Sequence, residues 1–138
     1  MSERYRRGLD VAEKLAADKL AHFVESGIAE IAPDFARMVI EFAFGDIYAR
    51  DGLDLRSREL VAIAALAASG NSIPQLRTHV ESASSSGIGK AEVLEVLMQT
   101  ALYAGFPAAL NALAGCHDLM IDDSGCGLVA RSHCEASE

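Results

Sequence analysis

The sequence predicts an all-α protein of a single domain. Three observations carry that prediction. Apolar residues recur at helical spacing through most of the chain, no segment sustains strand alternation, and glycine or a capping residue punctuates the periodic stretches. A length of 138 residues suits one domain that buries roughly two-thirds of the surface its unfolded chain would expose. With 51% hydrophobic residues there is ample material for that core, and disorder of the whole chain is excluded.

About six helices follow in order, over a domain of residues 1–122 with residues 123–138 as a flexible tail. The first runs from Asp10 to Ser26 and is stopped by Gly27. Pro33 and Asp34 open the second, with Phe35, Met38, Val39 and Phe42 on one face. Asp51-Gly52 makes a turn, after which Asp54 caps a third helix with the stripe Leu55, Glu59, Ile63 and Leu66, ending at Gly70. Ser72 and Gln75 fit a capping box for a fourth helix over about Ile73 to Ser86, stopped by Gly87. Gly89 with Glu92 starts a fifth, lasting until Gly105 and apolar around most of its circumference, which implies burial on more than one side. Pro107 opens an alanine-rich sixth.

Twenty acidic against twelve basic residues give a net charge of −8. Nucleic acid and anionic membranes reward clustered Lys and Arg, so neither is the expected partner. No uncharged run approaches the roughly 20 residues needed to cross a bilayer, and the polar N-terminus Met1 to Arg7 has no apolar signal core behind it. The cysteines, Cys116, Cys126 and Cys134, are odd in number and read as reduced thiols, with the cytosol as the expected address.

Two side chains stand out as chemistry. Glu59 projects from the apolar stripe of its helix, between Leu55 and Ile63. Burial penalises a carboxylate's charged form unless a cation or donors compensate, and a carboxyl so placed suits general acid–base work. The competing reading is a structural ion pair. His79 lies between Leu76 and Ala83, one turn after Gln75, and an imidazole there can pass protons or polarise a carbonyl. Its competing reading is a core-edge histidine satisfied by one hydrogen bond. An acid and an imidazole on adjacent helices are a more specific signal than either alone.

Arg50, Arg56, Arg58 and Arg77 cluster around the third and fourth helices and could hold a small anion in bidentate fashion, against a background of ordinary surface pairing such as Arg77 with Glu81. Cys116-His117, Cys126 and His133-Cys134 carry zinc-type ligands, but their spacing matches no compact finger, and no metal is expected. There is no phosphate loop, dinucleotide fingerprint or nucleophile elbow.

Three stretches resemble the carboxymuconolactone decarboxylase family: Phe44-Gly45-Asp46-Ile47-Tyr48-Ala49-Arg50-Asp51-Gly52-Leu53 with Ser57-Arg58-Glu59-Leu60, then Gln75-Leu76-Arg77-Thr78-His79-Val80, then Tyr103-Ala104-Gly105-Phe106-Pro107-Ala108-Ala109. The likeness runs from about Arg4 to Leu119. It implies an alkylhydroperoxidase-D-like helical bundle that assembles as a homohexamer, a trimer of dimers. The peroxidase branch of that superfamily carries a Cys-x-x-Cys pair where this chain has Ser72 and Gln75, so peroxide reduction through a disulfide is excluded.

The other branch decarboxylates 4-carboxymuconolactone to the enol-lactone of β-ketoadipate, in aromatic compound breakdown, without metal or organic cofactor. The resemblance implies His79 as proton donor with Glu59 setting its tautomer or sharing the relay. It implies Arg50 and Arg58, then Arg56, as anion-binding residues, with Tyr48 and Gln75 completing the substrate site. The alternative is a non-catalytic oligomer that binds a small ligand or serves as a scaffold, in which His79 would be hydrogen-bonded away in packing. A thiol activity at Cys116, far in sequence from Glu59 and His79, is the weakest reading.

Overall fold

A computed structural model describes residues 1–24 and 27–121. It is helical: α1 (Glu3–Val24), α2 (Gly27–Ile31), α3 (Pro33–Val39), a π-helical stretch Ile40–Tyr48, α4 (Leu55–Ser69), α5 (Ile73–Ser82), a 3-10 turn Ala83–Ser86, α6 (Lys90–Ala104), α7 (Phe106–Gly115) and α8 (His117–Met120). Among the described residues, none of these helices is long and apolar enough to cross a membrane. The expected tail, 123–138, lies outside the described residues. Two compact units emerge, Met1–Arg58 and Glu59–Glu138.

In the first unit α1 begins at Glu3, about two turns earlier than the polar pattern predicts, because the Ser2 hydroxyl accepts the Tyr5 amide at 3.1 Å and caps it. Gly27 opens α2 instead of stopping α1. The expected apolar face of the second helix also turns outward: Phe35, Met38 and Phe42 are exposed, while Ala36, Ile40 and Gly45 are buried. The reason is a close approach. A Cβ on Gly8 would stand 2.3 Å from the Ile40 carbonyl oxygen, and one on Gly45 would stand 2.5 Å from that of Arg4. α1 therefore lies backbone against backbone on the π-helical stretch, and only small residues fit the seam.

The π register suits that seam. Ile40 and Gly45 are five residues apart, the spacing of i→i+5 bonding, and both face inward. Charged side chains close its flank. Arg4 Nε donates to Asp46 Oδ1 at 3.1 Å, and Arg7 Nε to the Gly45 carbonyl at 2.7 Å. Glu41, 8% exposed, accepts from the Ser2 hydroxyl and lies 3.8 Å from both Arg4 and Arg37.

The second unit is built around Ile63, Leu76, Val93 and Leu97, each at most 1% exposed, with Ala67, Ala112 and Cys116 filling between. Burying each of the four larger side chains contributes about 1.5–3 kcal/mol. The Gly89 amide donates to Glu92 Oε2 at 3.1 Å, as the sequence predicts for the start of α6. Gly70, Gly87 and Gly105 take positive φ at the expected stops. α6 buries Val93 and Leu97 but leaves Leu102 and Tyr103 exposed. The short α8 was not legible in the pattern.

Arg77 anchors α8. Its Nη2 donates to Asp118 Oδ2 at 2.8 Å and its Nη1 to the Gly115 carbonyl at 2.7 Å. This hydrogen-bonded guanidinium holds the Asp118 carboxyl at about 2, below its ordinary 3.8. A carboxyl lowered in the folded state adds stability that is present above about pH 4 and lost as the pH falls through about 2. Both side chains are solvated, so the contribution is small. Asp118→Asn is expected to flatten the acid limb of stability in that window, read by circular dichroism; an unchanged limb would remove the pair from the account.

Candidate active site

Glu59 owes its place to the head of α4. Asp54 Oδ1 accepts the Ser57 amide at 2.7 Å, the cap the sequence predicts, and that bond holds the Asp54 carboxyl below the usual carboxylate range. Arg58 braces the preceding turn, donating from Nε to the Leu53 carbonyl at 3.1 Å and from Nη2 to the Arg50 carbonyl at 3.0 Å. Glu59 then falls on the inward side of α4 with Ile63 and Ala67, and is 2% exposed.

His79 comes from α5. Leu76 and Val80, both buried, seat that helix in the core. The capping box does not form. The Ser72 hydroxyl instead meets Ser69 Oγ at 2.9 Å and Asn71 Oδ1 at 3.3 Å, and makes no cap bond to the α5 amides. The α5 start relies on Pro74 in its first turn.

Glu59 and His79 meet. His79 Nδ1 lies 3.0 Å from Glu59 Oε2. A carboxylate can only accept, so against ionised Glu59 it is Nδ1 that donates, which leaves Nε2 as the nitrogen that Glu59 does not engage. The histidine side chain keeps 27% of its surface, against 3% for the glutamate. The pair is therefore a buried orienting carboxylate behind a partly accessible imidazole, an arrangement suited to moving protons.

The other residues singled out from sequence are less concentrated. Gln75 is exposed one turn before His79 on α5. Tyr48, whose ring centroid is 5.6 Å from that of Phe44, and Arg50, Arg56 and Arg58 belong to the first unit. Arg77 is engaged by Asp118 and the Gly115 carbonyl. Sequence reasoning passed over the buried Glu41, although its i,i+4 spacing from Arg37 was a visible signal. Among the described residues no group of three His, Cys, Asp or Glu could share a metal ion. Cys116 is buried, and desolvation pushes its thiol up, away from the reactive thiolate.

Residues 33–116, which span α3 through α7 and include both members of the pair, match the model of the carboxymuconolactone decarboxylase family, and the chain belongs to that family. Among particular relatives, it is 32% identical over 111 residues to 4-carboxymuconolactone decarboxylase of Acinetobacter baylyi, covering 80% of this chain and 82% of the relative. It is 34% identical over 95 residues to an uncharacterized 15.0 kDa protein of Paracoccus denitrificans, covering 68% and 71%. It is 28% identical over 116 residues to nitrosuccinic acid decarboxylase of Metarhizium robertsii, covering 80% of each. Two of these three are named as decarboxylases, so the chain is a decarboxylase-like family member.

Proposed function

We propose that this chain is a cofactor-independent carboxy-lyase acting on 4-carboxymuconolactone, or a closely related lactone acid, to give the enol-lactone. The observation that carries the reading is the 3.0 Å contact from buried Glu59 to His79 Nδ1, with the other ring nitrogen left for chemistry. The likeness to the Acinetobacter baylyi decarboxylase supports the substrate class.

The chemistry needs no resident metal, because the electron sink is in the substrate. The departing carboxylate sits on the ring carbon conjugated through the double bond to the lactone carbonyl. Losing carbon dioxide leaves a dienolate with its charge on that carbonyl oxygen, and a proton must then reach the carbon beside the carbonyl. His79 Nε2 delivers it, and Glu59 orients the ring and stabilises the imidazolium. The cations for the substrate's carboxylates are assigned to Arg50, Arg56 and Arg58, with Tyr48 and Gln75 as further contacts. The cytosol, where the thiols stay reduced, is the compartment in this reading.

Self-association, as a trimer of dimers, belongs to the same proposal. Leu102, Tyr103 and Phe106 are each more than 70% exposed within the stretch 96–116, which carries no Asp, Glu, Lys or Arg. Clustered apolar surface of that kind marks interfaces. The test mixes purified protein with freshly generated 4-carboxymuconolactone and follows carbon dioxide and enol-lactone together, with the mass of the same sample read by light scattering. Turnover above the spontaneous rate by an oligomer is expected. No turnover sinks the substrate, and a monomer sinks the assembly.

A further inference from the structure

Decarboxylation asks the site only to supply a proton. The geometry equips it to remove one as well. With Glu59 accepting from Nδ1, His79 Nε2 carries a lone pair rather than a hydrogen in the neutral ring, and the imidazole side chain is partly exposed while its carboxylate partner is buried. The nitrogen that delivers a proton from the imidazolium can take one up when the ring is neutral.

From this we infer that the site also catalyses a 1,3-proton shift on the lactone that bears hydrogen where the decarboxylation substrate bears its departing carboxylate. The inference rests on the substrate class proposed above. Nε2 takes the proton from that ring carbon, and the C–H electron pair enters the ring to give the same dienolate that decarboxylation produces. The protonated Nε2 then returns the proton to the carbon beside the carbonyl, and the double bond moves from the α,β to the β,γ position. No electrons are gained or lost, and the proton count closes. By microscopic reversibility the same nitrogen exchanges the hydrogens beside the carbonyl of the product with solvent. The site is thus a butenolide isomerase as well as a decarboxylase, because one intermediate serves both.

The probe is muconolactone, which keeps the acetate arm and has hydrogen in place of the second carboxylate. In deuterated buffer, proton NMR follows conversion to the enol-lactone and deuterium entry beside its carbonyl, with 4-carboxymuconolactone turnover measured on the same preparation. The expected result is isomerisation about 10²-fold or more above buffer, lost in His79→Ala and lowered in Glu59→Gln, with both variants folded by circular dichroism. Decarboxylation without isomerisation overturns the inference and leaves the proposed function standing. Isomerisation without decarboxylation upholds the inference for this site and removes the decarboxylase. Isomerisation undiminished in His79→Ala overturns it, and failure of both reactions removes both proposals.

Discussion

His79→Ala is expected to lower kcat on 4-carboxymuconolactone by about 10²- to 10⁴-fold, the range for loss of a positioned general acid or base. The ring contributes little to the core, which Leu76 and Val80 provide on either side of it, so the helix it sits on should persist. The truncation does take a hydrogen-bond partner from a carboxylate that is 2% exposed, which costs on the order of 1–3 kcal/mol. The double variant Glu59→Gln/His79→Ala should stay inactive as well. Glu59→Gln alone acts through His79, so kcat should fall while KM holds, since no substrate contact is lost. Full activity in His79→Ala would remove the imidazole from the mechanism, and a rise confined to KM would reassign it to binding.

The second large effect is on stability. Gly8→Ala and Gly45→Ala should each destabilise the chain by about 3 kcal/mol or more. In an ordinary helix the same change gains roughly 0.5–1 kcal/mol, because alanine restricts the unfolded chain and glycine does not. Here the added carbon meets a backbone carbonyl oxygen, at 2.3 Å from Ile40 and 2.5 Å from Arg4. A flexible side-chain tip could move aside, whereas a helix backbone must shift as a body. Steric overlap outweighs propensity, and thermal unfolding should begin about 10 °C lower. Stabilisation by either alanine would mean that α1 does not lie on the π-helical stretch at this distance.

Much of the second unit was legible in the sequence because its signals are local. Asp54 caps α4 and Glu92 reaches back to Gly89, each within three residues, and the stops at Gly70, Gly87 and Gly105 need only a positive φ. Glu59 and His79 were legible as oddities of pattern, a carboxylate in an apolar stripe and a histidine beside core residues. What periodicity could not supply was the first unit. An α-helical reading of residues 35–42 assigns Phe35, Met38 and Phe42 to one face but not to an inner one, and small residues win the inner side only once α1 comes close. The π register, which alters the spacing from Ile40 onward, leaves no signature in a search for period 3.6. Arg77 was misjudged for a similar reason: Glu81 is near in sequence, but Asp118, 41 residues away, takes the guanidinium.

The cap at Asp54 and the brace from Arg58 have a consequence for how such a protein can diverge. The cap acts within three residues, whereas the Arg58 side chain reaches back out of the helix to the Leu53 and Arg50 carbonyls. Side chains of the bend from Ala49 to Leu53 can be exchanged while the Arg50 and Leu53 carbonyls stay in place, whereas shortening or extending the bend would move those acceptors. The turn therefore tolerates substitution but resists a change of length, because its carbonyls rather than its side chains carry the brace.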